Sequence, residues 1–532
     1  MKKIFSKKTL SAFLAAIMVL AMIPMGMISA VAATAGTDYV LGENTITIKT
    51  VDGWNYVAAN QNTYKDYDIK LGASLNFDDG NDGVADTTND MPLFDEVAFA
   101  GTFDGNGYTI SNFTAGSSSE MVAFGGIITT TTVGRTDLDD TKLDLSLTTD
   151  DVVVKNLTID NATVYSSAHF GVLIGTLSAD GIFENIKITK ATVSGGAGSG
   201  AASGYVGGLI GLITKDARVL ANKCNVTGSI TATRNVGGII GGHEDAERTY
   251  NNAMTVIRNC YVDATLISTN SYGRAGGIVG FWGNTADYTF SSITIDSCYC
   301  GGTYKVNNAL TRVGAVAGGL RKCTAIISNT VVDVSGLKYL LCSYGHTGGT
   351  YTLTNVYSTS NSTESKLFDQ GTINGTVTVD AEKAAALVAK DSNGNVIGCM
   401  SGLVGTMKAQ VSNVVNDAYI IRFVMPAMVD TMTNVTMTVK VKNGDAEVHT
   451  YEITNCTMWD KLTGYEGRTG FTEYTPATYG AKKLLAGAIL NVPTGAAYSF
   501  EISATFTVSG VEITSTTYGA SVTTEGALVV TE

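Results

Sequence analysis

The sequence predicts an all-β protein: a parallel, right-handed β-helix with an N-terminal cap, followed by a C-terminal β-sandwich-like domain. Its 532 residues include 60 Gly and only five Pro, with 44% hydrophobic residues, which is enough for a core. No proline falls between 93 and 425, as continuous ladder hydrogen bonding requires, because Pro cannot donate to a sheet. A glycine-centred motif recurs six times with an alternating strand between copies. The hand follows from the general twist preference of strands.

Residues 1–33 read as a signal peptide. Lys2, Lys3, Lys7 and Lys8 give a positive start, an uncharged apolar run covers 10–23, and Ala30-Val31-Ala32 supplies a small-residue cleavage site. The stretch 9–33 is also long enough to act as an uncleaved anchor, but Pro24, Gly26 and the cleavage site favour removal. No Cys precedes Cys224, so no lipid-modified cysteine is expected near the leader, and the Val-Val-Thr-Glu end carries no hydrophobic tail. The expected location is extracellular, secreted or non-covalently surface-associated, with no membrane insertion after cleavage. Without the leader, 31 Lys plus Arg face 48 Asp plus Glu, a balance of about −17. That charge argues against nucleic acid and anionic lipid as partners.

Residues 34–94 are expected to cap the first rung, with short strands at 45–48 and 68–71. The repeats occupy 95–380. Their first glycines, Gly125, Gly171, Gly207, Gly237, Gly276 and Gly314, stand at intervals of 46, 36, 30, 39 and 38, so a fixed rung carries loops of different length. At the corners of a coiled sheet the chain needs positive φ or a close backbone approach, and Gly provides both. The apolar residues that follow, Ile127, Leu173, Leu209, Ile239, Ile278 and Val316, should be equivalent and stacked inside. A second element opens on a polar residue: Asn156, Asn185, Lys223, Asn259 or Ser297. In one copy Cys260, Val262, Ala264 and Leu266 form an apolar face opposite Tyr261, Asp263 and Thr265, the alternation of a half-buried strand. Units of this kind bury their apolar face only by stacking on neighbours.

Copies such as Val206-Gly207-Gly208-Leu209-Ile210-Gly211 and Val236-Gly237-Gly238-Ile239-Ile240-Gly241 resemble the GLUG motif of bacterial extracellular and adhesin-like proteins. The introducing segment Phe99-Ala100-Gly101-Thr102-Phe103-Asp104-Gly105-Asn106-Gly107 is similar to the one that often precedes such repeats. The resemblance covers about 95–360 and implies architecture rather than ligand. The last copy departs from it, with Ala315 and Ala317 in glycine and apolar places.

Residues 381–394 form a linker, with a short helix over 381–390 from the Ala-Glu-Lys-Ala-Ala-Ala propensity. From 395 to 532 longer alternating strands appear at 418–424, 435–441 and 500–508, the pattern of a β-sandwich-like domain.

Eight cysteines in an exported chain invite a disulfide framework, but Cys224, Cys260 and Cys298 recur at one place in successive repeats. Rungs about 4.8 Å apart hold in-register Cβ atoms slightly too far apart for a relaxed bridge, so a ladder of buried, reduced thiols is expected. No cofactor is expected, with calcium as the one possible metal: Asp78, Asp82 and Asp86 around Gly80 and Gly83 loosely match a calcium loop, but Gly80 falls where a ligand should be, and a solvated acidic turn is the better match. The compact charged cluster His243, Glu244, Asp245, Glu247 and Arg248 forms no His-Glu-x-x-His zinc motif, and no nucleophile elbow or Cys-His pairing is recognisable.

Aromatic residues are the better lead. Tyr261 and Tyr299 fall on the polar face in consecutive repeats, where an exposed row would bind the flat faces of sugars or a partner protein, the plainer alternative being that such pairs only stabilise neighbouring strands. Tyr272, Trp282 and Tyr288 are secondary candidates on loops. The expectation is a binding protein for an extracellular glycan or a surface protein, without a catalytic residue assigned. A glycan-cleaving enzyme with facing carboxylates is the alternative, and a spacer displaying the C-terminal domain a second. Net negative charge makes neutral ligands the better candidates, unless calcium bridges an anionic one.

Overall fold

The computed structural model describes residues 33–78, 90–94, 97–116, 126–131, 152–166, 169–195, 204–214, 217–244, 254–283, 292–310, 312–363, 366–390, 396–399, 408–415, 418–427, 433–454, 458–459, 483–508, 511–515 and 517–531. Strand dominates throughout. From Thr45–Ile48 to Val377–Val379 the named strands pair in parallel with their equivalents one repeat away, and the antiparallel edge strand Tyr39–Leu41 closes the start. Among the described residues no helix is long and apolar enough to cross a membrane.

The chain visits three parallel sheets in turn. The first and largest takes long strands such as Gly181–Gly195 and Val219–Ala232, then pairs such as Met254–Arg258 with Tyr261–Ser268. The second takes Phe170–Gly171, Tyr205–Gly207, Asn235–Gly237, Arg274–Gly276 and Val313–Gly314. The third takes Ile174–Leu177, Ile210–Thr214, Ile240–Glu244 and Val279–Gly283. Each glycine motif thus spans the junction of the second and third sheets.

At that junction the reason for glycine is proximity rather than dihedral angle. A Cβ on Gly208 would lie 2.5 Å from Val226 Cγ1 and closer still to the Gly238 carbonyl of the next rung. Among the repeat glycines from Gly207 to Gly314, none of the first two in a motif has positive φ.

The equivalence of the six apolar residues holds at every step. The Leu209 amide donates to the Ile239 carbonyl at 3.1 Å, Ile239 to Ile278 at 3.0 Å, and Ile278 to Val316 at 2.9 Å, and all six side chains are fully buried. Burying each such side chain contributes about 1.5–3 kcal/mol. The ladder goes one rung further than the glycine pattern: the Val316 amide donates to Leu341 at 3.1 Å, although Leu340-Leu341-Cys342 carries no glycine.

Positive φ sits instead at the polar residues that open the second element. Asn156, Asn185, Lys223, Asn259 and Ser297 have φ of 53, 53, 55, 54 and 54°, and Asn329 and Asn355 continue the row at 48 and 53°. Left-handed backbone disfavours most L-residues, and Asn tolerates it because its short amide bonds locally. The amides bond from rung to rung: Asn185 Nδ2 to Asn156 Oδ1 at 3.1 Å, Asn259 Nδ2 to Asn222 Oδ1 at 2.9 Å, and Asn355 Nδ2 to Asn329 Oδ1 at 3.2 Å.

The strands expected at 45–48 and 68–71 are present and already belong to the first sheet, so regular pairing begins well before residue 95. Helix α1 (Val51–Ala59) lies in this segment and was not legible from propensity, since Gly53 and two valines weaken it. Its start is fixed by Thr50, whose side chain accepts from the Gly53 amide, and its Trp54 packs edge-on against Phe77, Phe103 and Phe113. A four-residue helix, α2 (Gln61–Tyr64), follows. The helix expected over 381–390 is shorter than predicted: α3 (Ala381–Ala386) is capped by Asp380, and Val388–Lys390 pairs as a strand with Val396–Cys399.

Beyond it lie two antiparallel sheets. One joins Lys408–Val415, Ala418–Ala427, Lys483–Pro493 and Met458–Trp459, and the other centres on Thr433–Asn443 and Tyr498–Val508. The three strands expected there fall inside these elements.

Candidate ligand-binding face

The tyrosine row forms and is covered. Tyr261 and Tyr299 pair in register in the first sheet with rings 5.5 Å apart and 28° from parallel. Gly301 makes room for the Tyr299 ring, and the phenols donate to Asp263 at 3.4 Å and Asp333 at 3.0 Å. Yet the two residues are only 7% and 4% exposed. They join a buried cluster with Val331, Ala384, Leu387, Val388, Ala389 and Cys399, and Cys399 Sγ donates to the Cys298 carbonyl at 2.9 Å. The expectation of an open row is therefore corrected: an apolar segment from α3 to Cys399 has a better use for two adjacent rings than water does. Burial first, then the neighbouring carboxylates, pushes both phenols well above their ordinary range.

Trp282 is also corrected. It lies on the strand Val279–Gly283 rather than a loop, fully buried, with its ring 4.7 Å from His243. His243 pairs with Ile213 in the third sheet and is buried too, so this histidine belongs to the interior column. Tyr272 stands as expected in a turn, 70% exposed. Tyr288, Asp82 and Asp86 lie outside the described residues, and Asp78 is buried with its amide on Asn76 Oδ1 at 3.3 Å. Among the described residues no group of three or more metal-ligating side chains assembles.

The thiol ladder is present: Cys224, Cys260 and Cys298 are buried on successive rungs as free thiols, with the Cys224 amide 3.4 Å from Cys260 Sγ. Burial raises the Cys224 and Cys298 thiols well above their usual range and takes Cys399 to about 12. Cys456 lies outside the described residues.

A different aromatic face is found along the junction of the second and third sheets. In the third sheet Leu212, Gly242 and Phe281 occupy one register column, and the Leu320 amide bonding to Tyr344 carries the alignment onward past Gly319. In the second sheet Tyr205, Asn235 and Arg274 form the neighbouring column, and the Ala275 amide donates to the Arg312 carbonyl at 3.2 Å. Large side chains of one column fill the gaps that glycines leave in the other: Tyr205 lies over Gly242, and Arg274 beside Gly319.

The guanidinium of Arg274 lies 4.2 Å from the Tyr344 ring centroid and 5.0 Å from that of Phe281, and Arg312 lies 5.5 Å from that of Tyr272. His169 continues the face, its Nδ1 accepting from the Tyr205 amide at 3.2 Å, with the two rings 5.3 Å apart. Burial, with repulsion from Arg312 and Arg234 adding to it, lowers Arg274 to about 10. Apart from Tyr272, sequence reasoning missed this face. Its signal was that Arg234, Arg274 and Arg312 each stand two or three residues before a motif glycine.

No family model and no curated protein matches the chain. Among solved structures, a crystal structure of a candidate immunoglobulin A1 protease from Bacteroides ovatus aligns over 66% of this chain and 91% of that one, at 18% identity and a TM-score of 0.35. Similarity at that level carries no argument about fold or function.

Proposed function

We propose that this chain is an exported, adhesin-like binding protein of the GLUG-repeat kind, acting outside the cell and without catalysis. In this reading the three parallel sheets close into a right-handed β-helix, and the two antiparallel sheets pack as a β-sandwich. The ligand is an extracellular glycan or surface protein held along the side of the coil that carries Tyr344 and Tyr272, where Phe281, 8% exposed, supports Arg274 from within. The observation that supports it most is the interlocking of rings and guanidinium groups on consecutive rungs, with Tyr272 standing 70% exposed. Such a face presents flat apolar surfaces with polar edges, the combination that suits sugar rings. Each rung is fixed by its neighbours, so little freedom is lost on binding, and weak contacts repeated along the axis sum to avidity for a polymer.

The test is a glycan and mucin screen of the mature protein beside a Tyr272→Ala, Tyr344→Ala variant, with thermal unfolding as a control for the fold. Binding that drops in a folded variant supports the face, and unchanged binding removes it. Release of shortened oligosaccharide in the same screen would overturn the non-catalytic part.

One observation favours a second reading, a spacer that displays the C-terminal sheets: the segment from α3 to Cys399 is seated on Tyr261, Tyr299 and Val331. Absence of binding to every glycan and mucin would favour it.

A further inference from the structure

The reading above leaves the chemistry of the ligand open, and the overall acidic charge points to a neutral one. The face itself has the opposite local charge. Arg274 and Arg312 hold one register position on successive rungs, and Arg234 stands one residue before Asn235, the register neighbour of Arg274 on the preceding rung, with the Arg274 amide donating to the Arg234 carbonyl at 2.9 Å. Among the described residues none of the three makes an ion pair, although Lys155, Lys190, Arg218, Lys383 and Lys442 each find a carboxylate. In a chain with 48 acidic residues, three neighbouring arginines that no carboxylate pairs among the described residues leave guanidinium charge to be met by a ligand.

The geometry also leaves the right atoms available. Rings of Phe281 and Tyr344 lie against Arg274, and π contacts of this kind engage the faces of a guanidinium and leave its in-plane N–H donors for an anion. Arg274 Nε and Oδ1 of its register neighbour Asn235 are buried without a hydrogen-bond partner and closed to a ligand, so the anion contact falls to the terminal nitrogens of the guanidinium. A planar guanidinium partly shielded from water binds an oxyanion in two parallel hydrogen bonds, and shielding strengthens the attraction several-fold over bulk water. Repetition at about 4.8 Å per rung places the next guanidinium, Arg312, along the same axis.

Resting on the binding reading of this face, we propose that Arg274 and Arg312, with Arg234 on the preceding rung, take the carboxylate or sulfate groups of an acidic polysaccharide whose sugar rings lie on Tyr344 and Tyr272. Local charge then overrides the net charge of the chain, as fields do over distances shorter than the roughly 8–10 Å screening length.

The experiment uses the full mature protein with four polymers: polygalacturonate, dextran sulfate, fully methyl-esterified polygalacturonate and neutral dextran. The expected result is that polygalacturonate or dextran sulfate binds at least tenfold more tightly than its uncharged counterpart, weakens as salt rises, and loses tenfold or more in an Arg274→Gln, Arg312→Gln variant. Which of the two charged polymers binds better separates carboxylate from sulfate. Arg312→Gln alone covers the case in which the double variant does not fold, and a threefold or greater loss is expected from it. Equal binding of charged and uncharged polymers, or undiminished binding by folded arginine variants, overturns the anion site while leaving glycan binding intact. Failure of every polymer and of the mucin screen overturns both.

Discussion

Replacing Lys223 by Asn should stabilise the repeat region, an uncommon direction for a single substitution. Lys223 holds φ of 55° in a row where its equivalents Asn156, Asn185 and Asn259 hold 53, 53 and 54°. The left-handed conformation costs an ordinary L-residue about 1–2 kcal/mol, and Asn escapes roughly half of that. A new amide beside Asn185 adds up to one hydrogen bond, about 1 kcal/mol. Against these stands the loss of the half-buried lysine's own surface interactions, about 0–1 kcal/mol. The net gain is about 1 kcal/mol. The counter-variant Asn259→Ala keeps the strained backbone and loses the 2.9 Å bond to Asn222, so it should cost about 2 kcal/mol. Repeat arrays need not unfold in one step, so amide hydrogen exchange in 219–232 and 254–268 is the appropriate local measure. About fivefold slower exchange is expected for Lys223→Asn and clearly faster exchange for Asn259→Ala. Faster exchange in the first variant, or no change in the second, would refute the account of the polar row.

Ile239→Ala, which removes a fully buried member of the apolar ladder, should destabilise by about 2–5 kcal/mol in denaturant unfolding, and a loss below about 1 kcal/mol would mean the ladder is not a packed core. Cys224, Cys260 and Cys298 should resist alkylation until the protein unfolds, and mass spectrometry of unreduced peptides should find no bridge between them; any pair found joined contradicts the ladder. The phenols of Tyr261 and Tyr299 are held neutral in the fold where the unfolded chain would ionise them, so the stability they provide is complete below about pH 10 and declines as pH rises above it. Absorbance at alkaline pH should show these two ionising with unfolding; early ionisation in a Tyr261→Phe comparison would show that the segment from α3 to Cys399 does not cover them.

The repeats were legible because each rung states its own constraint in residue type. Gly208 cannot carry a Cβ beside the Gly238 carbonyl, and Ile239 must be apolar between Leu209 and Ile278. Where a rung meets the same constraint differently, the pattern fades: Leu341 continues the ladder with no glycine in its own Leu340-Leu341-Cys342 segment. The exposure of Tyr261 and Tyr299 was misjudged for a different reason. Alternation tells which side of a strand a residue occupies, but not what returns to cover that side, and here the cover comes from a segment about 100 residues later. Likewise the Arg274 face depends on two register columns meeting, and neither column is contiguous in the chain.

The seating of the segment from α3 to Cys399 also decides how the protein carries force. The repeat strands end at Val377–Val379, and a pull on the C-terminal sheets would, without that seat, peel this final strand away one hydrogen bond at a time. Because Cys399 is bonded to the Cys298 carbonyl and the segment rests on Tyr261, Tyr299 and Val331, tension enters instead from the side and is shared by three rungs. Those rungs must then slide together rather than unzip in turn, and the polymer binding proposed above would gain from such a load path in shear.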